Sequence, residues 1–192
     1  MSTINFARKE ISFKIVYYGP AMSGKTTNLR YIYSSIPQKV KGEFTSIATE
    51  TERTLFFDFL PLELGVIKGF TVRLSLYTVP GQNIYKLTRK SVLRACDGIV
   101  FVADSQLSKK EENIMNFYDM VENLNDFGES LESIPLVMQY NKRDLNPIIP
   151  IRELQEALNN ENQFEYYEAI AMLGLGVMES MKAITRLVIS RI

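Results

Sequence analysis

The stretch Val16-Tyr17-Tyr18-Gly19-Pro20-Ala21-Met22-Ser23-Gly24-Lys25-Thr26-Thr27 decides the fold of this chain. Ile11 to Tyr18 reads as a strand, and a helical pattern follows Thr26 through about Ser35. Between them, Gly19, Pro20, Ala21, Met22, Ser23, Gly24, Lys25 and Thr26 match G-x-x-x-x-G-K-[ST] without gaps. Strand before and helix after are the context that gives this pattern a physical meaning. Backbone N–H groups of the loop, and the unpaired amides at the helix start through Thr27, can wrap a β-phosphate. Lys25 can reach β- and γ-phosphates as a mobile point charge, and the Thr26 hydroxyl can bind Mg²⁺.

Outward from this loop, apolar runs alternate with helical patterns to the end of the chain. Phe70 to Val79 alternates Thr71, Arg73, Ser75 and Tyr77 against Val72, Leu74 and Leu76, as a strand does. Gly98 to Ala103 is continuously apolar, the mark of a central parallel strand covered on both faces. A helix is expected from about Lys109 to Phe127, ending before Gly128. Pro135 to Tyr140, Ile151 to Leu158, Phe164 to Ala169 and Gly176 to Arg191 then read as strand, helix, strand and helix. Such alternation implies an α/β fold with a doubly wound, mostly parallel sheet, here as one domain over residues 1–192. Sheets of that kind bind ligands at the carboxyl ends of their strands, where the loop at Gly19 lies.

A second loaded segment, Asn141-Lys142-Arg143-Asp144, follows the strand ending at Tyr140. A carboxylate at Asp144 can accept from guanine N1–H and its exocyclic amine, whereas adenine would leave that carboxylate unpaired. Asp144 is therefore the expected selectivity residue, with the Lys142 stem covering the base and Asn141 bracing neighbouring loops. A backbone N–H for guanine O6 is expected from the segment Glu168 to Met172, with Ala171 the candidate.

Composition narrows the remaining chemistry. Lysine plus arginine and aspartate plus glutamate each total 22, so no basic excess points to nucleic acid. There is no histidine, which excludes histidine bases, triads and histidine metal sites. The single Cys96 suits a reducing compartment and reads as a small buried apolar residue. No apolar run reaches the roughly 18 residues of a membrane span, and no lipidation motif is evident. The expectation is a cytoplasmic protein with no direct membrane anchor, placed by its partners.

At this point the residues resemble the Ras-like small GTPases and, more closely, the bacterial MglA (mutual gliding motility protein A) family. The resemblance rests on Lys14 to Pro20, Thr49 to Pro61, Leu76 to Gln82 and Phe101 to Ser105. It implies a Ras-like P-loop fold and a GTP/GDP switch that hydrolyses GTP slowly and governs polarity, gliding or pilus machinery. It also implies effector proteins of that machinery, recruitment to a cell pole, and a roadblock-type, MglB-like activator. Thr54 matches a threonine that joins Thr26 on Mg²⁺, and Arg53 matches a built-in arginine finger. Gln82 matches the residue that orients the attacking water, and Gly81 the one whose N–H meets the γ-phosphate.

Two departures stand out. Most small GTPases have aspartate where this chain has Thr78, so a second-shell hydroxyl or another residue must serve Mg²⁺. Asp58 is acidic, but Phe56, Phe57 and Phe59 around it suggest a structural position. Ala21 stands where the family usually has glycine; either its Cβ slows hydrolysis or the loop accommodates it. A pseudo-GTPase locked in one state is the alternative that these departures keep open. A nucleotide kinase would need an acceptor site and an arginine-bearing lid, which the region after the loop lacks.

Overall fold

Every residue of Gly98–Asp104 and of Leu136–Asn141 is buried, because both strands lie inside a sheet covered on two faces. The computed structural model describes residues 3–49, 52–81, 85–160 and 163–192, and the side chains of these except 47–49 and 52–56. Its strands are β1 (Thr3–Asn5), β2 (Glu10–Tyr18), β3 (Thr45–Thr49), β4 (Glu52–Ile67), β5 (Phe70–Thr78), β6 (Gly98–Asp104), β7 (Leu136–Asn141) and β8 (Tyr166–Glu168). Its α-helices are α1 (Lys25–Ser35), α2 (Lys86–Leu93), α3 (Lys110–Asn125), α4 (Ile151–Leu158) and α5 (Val177–Ile189).

The sheet runs β3-β4-β5-β2-β6-β7-β8, with β1 added to β2. β5, β2, β6, β7 and β8 are mutually parallel, while β4 is antiparallel to β5, β3 to β4, and β1 to β2. Side chains of β2 alternate between two cores. Phe13, Ile15 and Tyr17 meet Leu29 and Ile32 of α1 and Ile184 of α5. Val16 and Tyr18 share the other core with Phe117 and Met120 of α3 and Leu154 of α4. Fully burying each such side chain stabilises by about 1.5–3 kcal/mol, so the alternation holds both helix layers on the sheet. Cys96 is buried in the second core, and desolvation pushes its thiol up to about 12.

The expected strands and helices are present with shifts of a residue or two at their ends. What the sequence pattern did not announce is the edge: β1, the β3–β4 pair and the short helix α2. β4 reads poorly as a strand because it contains Pro61 and a register shift near Gly65. Pro61 is tolerated because its carbonyl accepts from Gly42 N–H at 2.9 Å, so its missing donor faces the sheet's edge.

Candidate functional site

The loop 19–24 leaves β2 at its carboxyl end and enters α1. Gly24 holds φ 105, and a Cβ there would lie 2.2 Å from Asn141 Nδ2, so only glycine permits this approach. Lys25 is buried, and its Nζ donates to Gly19 O at 2.8 Å and Pro20 O at 2.6 Å. The ammonium thus folds over the loop crest, where an incoming phosphate would meet it. Burial lowers Lys25 to about 7; the nearby Arg89 charge adds to this, and Asp58 opposes it. The buried Ser23 hydroxyl has no hydrogen-bond partner among the described residues.

Asp58 is the principal surprise. Its side chain is fully buried: Oδ2 accepts from Thr26 Oγ1 at 2.6 Å and from Thr78 Oγ1 at 2.9 Å, and Oδ1 accepts from Ser46 Oγ at 2.6 Å. Its backbone N–H donates to Thr78 Oγ1 at 2.8 Å. The antiparallel register Phe59↔Tyr77 carries Asp58 on β4 up to Thr78 on β5. Along β4, Asp58 shares the inward face with Leu60 and Leu62, while Phe57 and Phe59 are half-buried beside Tyr77. The aromatic neighbours therefore flank the carboxylate, whose oxygens face Thr26, Thr78 and Ser46. A carboxylate from the neighbouring strand stands beside the threonine that replaces aspartate.

Gly81 packs directly on the phosphate loop. A Cβ on it would lie 2.3 Å from both the Cα and the N of Ala21. Ala21 itself is not among the residues with positive φ, so alanine introduces no backbone strain there, whereas Met22 next to it has φ 61. The side chains of Arg53 and Thr54, and Gln82 altogether, lie outside the described residues. Beyond Gly81, Arg89 on α2 is buried against α3, with Nη1 donating to Asn116 Oδ1 at 3.0 Å. Its Nη2 lies 3.3 Å from Asp119, which accepts from the Tyr18 hydroxyl at 2.5 Å. Nothing local in the sequence signals this anchor, since its partners come from distant elements.

The second segment closes the site from the other side. Asn141 Nδ2 donates to Ser23 O at 2.7 Å, and Asn141 Oδ1 accepts from Ala171 N–H at 2.9 Å. One side chain therefore joins the phosphate loop to the 170–175 turn, as the bracing role requires. The Ala171 amide, expected to face guanine O6, is engaged by this brace in the structure described. Lys142 has φ 67, and its Nζ lies 2.6 Å from Oδ2 of the fully buried Asp104, which fixes the stem above the strand ends. Asp144 is exposed at the mouth, and Arg143 turns away to Glu168 and Ile149 O.

Mg²⁺ needs few protein donors, since it keeps waters and takes phosphate oxygens. The half-buried Thr26 hydroxyl and the buried Asp58 carboxylate are a hard-oxygen set of that kind. Among the described residues, no group of three or more acidic or cysteine side chains forms a metal cage, and no helix is long and apolar enough to cross a membrane.

A phosphate cradle and an Asn-Lys-x-Asp bracket at one end of a doubly wound sheet define a guanine-nucleotide switch. The chain belongs to the Ras family, whose sequence profile matches residues 14–190, and it is accordingly a GTP-binding switch with GTPase activity. It is 50% identical over 192 residues, all of this chain and 98% of the relative, to mutual gliding-motility protein MglA of Myxococcus xanthus (strain DK1622). Within the Ras family it is thus MglA-like. More distantly, it is 27% identical over 187 residues to human ADP-ribosylation factor-like protein 4C, covering 94% of this chain and 88% of that one.

Proposed function

We propose that this chain is a slow GTP-hydrolysing switch whose nucleotide state selects partners of a polar motility machinery. The observation that carries its chemistry is the Asp58 carboxylate, 2.6 Å from the Thr26 hydroxyl. In this reading the Thr26 and Thr54 hydroxyls would hold Mg²⁺, Asp58 orients the Thr26 hydroxyl, and Thr78 holds Asp58 in place. Mg²⁺, when bound, neutralises charge on the β- and γ-phosphate oxygens. Lys25 exchanges its two carbonyl partners for phosphate oxygens, which restores an ionic partner to a buried ammonium. Gln82 orients water, Arg53 supplies positive charge, and the Gly81 N–H holds the γ-phosphate until hydrolysis releases it.

Asn141 keeps the phosphate loop and the 170–175 turn in register, Lys142 covers the base, and Asp144 selects guanine. The O6 donor comes from that turn, with the Ala171 amide shared between Asn141 and O6. Slow hydrolysis is supported by the crowding of Gly81 onto Ala21. Ala21 carries a Cβ on the loop residue whose backbone Gly81 packs against. A roadblock-type, MglB-like activator is the expected means of acceleration. The motility role rests on the full-length similarity to MglA.

Two measurements test this. Single-turnover GTP hydrolysis is expected to require Mg²⁺ and to rise when a roadblock-type activator is added. Expressed in a Myxococcus xanthus strain lacking MglA, the chain is expected to restore directed movement. Robust nucleotide cycling with no restored movement, from the chain or from a chimera carrying its switch segments, would remove the motility role.

A further inference from the structure

The end of the sheet opposite the nucleotide loops is built from two turns tied to each other. Residues 6–9 join β1 to β2, and residues 68–69 join β4 to β5. Thr71 N–H donates to Lys9 O at 2.8 Å across them, and the Phe6 and Phe70 rings meet edge to face with centroids 5.9 Å apart. Lys9 and Lys68 both hold φ 49, in the narrow left-handed well, so each turn presents its side chains from a defined backbone.

These turns display apolar groups and cations together. Phe6 is 75% exposed and Val66, opposite Thr71 in the ladder, is 70% exposed. Arg8, Lys9 and Lys68 are exposed around them and form no ion pair among the described residues. The acids of the adjoining strands are already committed: Glu10 lies 3.1 Å and Glu63 3.8 Å from Arg73. Singly exposed apolar side chains are ordinary on a monomer. A protruding phenylalanine and valine ringed by three uncompensated cations are a different arrangement.

We propose that these two turns rest on an anionic lipid surface, with Phe6 and Val66 entering the headgroup boundary and Arg8, Lys9 and Lys68 pairing with lipid phosphates. The patch is carried by the tips of two turns, which a fluid interface accommodates without a matching cavity. Long cationic side chains around an apolar wedge can keep their charges at the phosphates while their stems stay with the acyl boundary. Because the nucleotide loops lie at the other end of the same strands, this contact leaves them facing away from the bilayer. Three cations and two apolar side chains give a reversible association, each cation contributing about fivefold to partitioning.

Sedimentation of the full chain with vesicles reads this directly, using phosphatidylcholine alone and phosphatidylcholine mixed with phosphatidylglycerol. The wild type is expected to pellet with the mixed vesicles only. Lys9→Glu with Lys68→Glu is expected to lose at least about tenfold in partitioning, and Phe6→Ser several-fold. Arg152→Glu, which changes an exposed cation on α4, is expected to leave pelleting intact. Unchanged guanine-nucleotide affinity in all variants reports that they fold. The proposal is overturned if wild type fails to pellet with anionic vesicles, whether or not an acidic protein binds the patch instead. Equal pelleting with both vesicle types, or an equal loss from Arg152→Glu, overturns it as well.

Discussion

Replacing Asp58 by asparagine removes one charge while keeping the shape of the side chain, so it separates a metal-serving role from a packing role. In the structure Oδ2 accepts from Thr26 and Thr78 and Oδ1 accepts from Ser46. An asparagine can keep its carbonyl oxygen toward the two threonines and turn its amide toward Ser46, whose hydroxyl can rotate to accept. Each affected hydrogen bond then falls from the charge-assisted range of about 1.5–3 kcal/mol to about 1 kcal/mol, a moderate loss of stability. The loss at the metal is larger, because a polar partner beside a metal ligand typically controls about 10- to 100-fold in affinity. The assay is release of a fluorescent GDP analogue as free Mg²⁺ is titrated. Asp58→Asn is expected to shift the Mg²⁺ midpoint upward by about 10- to 100-fold. Thr78→Asp alone places a second carboxylate against Asp58, where two like charges cannot both ionise, and is expected to destabilise the fold. The exchange Asp58→Asn with Thr78→Asp then restores a single carboxylate at the same place and is expected to recover much of the Mg²⁺ dependence. An Asp58→Asn protein that folds and shows the wild-type midpoint would refute the reasoning and return Asp58 to a purely structural role.

Lys25 makes nucleotide-free stability pH-dependent. Its folded value of about 7 lies below the ordinary 10.5, so the unfolded chain binds more protons in between. The penalty is full below about 7 and is relieved as pH rises toward 10.5. Denaturant melts of the nucleotide-free protein should therefore strengthen upward from neutral pH, and Lys25→Met should flatten that trend. Ala21→Gly removes the Cβ from the loop residue whose backbone Gly81 packs against, and it is expected to raise single-turnover hydrolysis by up to about 100-fold; equal rates for the two proteins would dismiss the Ala21 side chain as the cause of slow turnover. Gly24→Ala forces a Cβ into Asn141 Nδ2 at 2.2 Å, so equilibrium binding should show loss of both GDP and GTP affinity. Asp144→Ala should collapse the preference for GTP over ATP by on the order of 10⁴ in competition binding, because only the guanine contacts depend on that carboxylate.

Much of this was legible because its signals are local. The loop at Gly19 to Thr26 carries its meaning in eight adjacent residues between a strand and a helix, and the backbone there supplies the chemistry. Buried strands such as Gly98–Asp104 announce themselves because both faces must be apolar. The edge of the sheet was less legible. The β3–β4 pair there tolerates Pro61 and Gly65 and leaves Phe57 and Phe59 only half-buried. The Ala171 amide lies in the turn after β8, and its engagement by Asn141 depends on a contact 30 residues away.

The sequence by itself determined that a G-x-x-x-x-G-K-T loop and an Asn-Lys-Arg-Asp segment follow two strands of one doubly wound sheet. Both follow from short-range pattern and from the fixed hand of the crossovers. Only the tertiary structure decided which carboxylate stands beside Thr26. Asp58 reaches it from 32 residues away through the register of the antiparallel β4–β5 pair, and meets Thr78 across 20. Pairing register is set by the summed burial of whole strand faces, so no local window of sequence contains it.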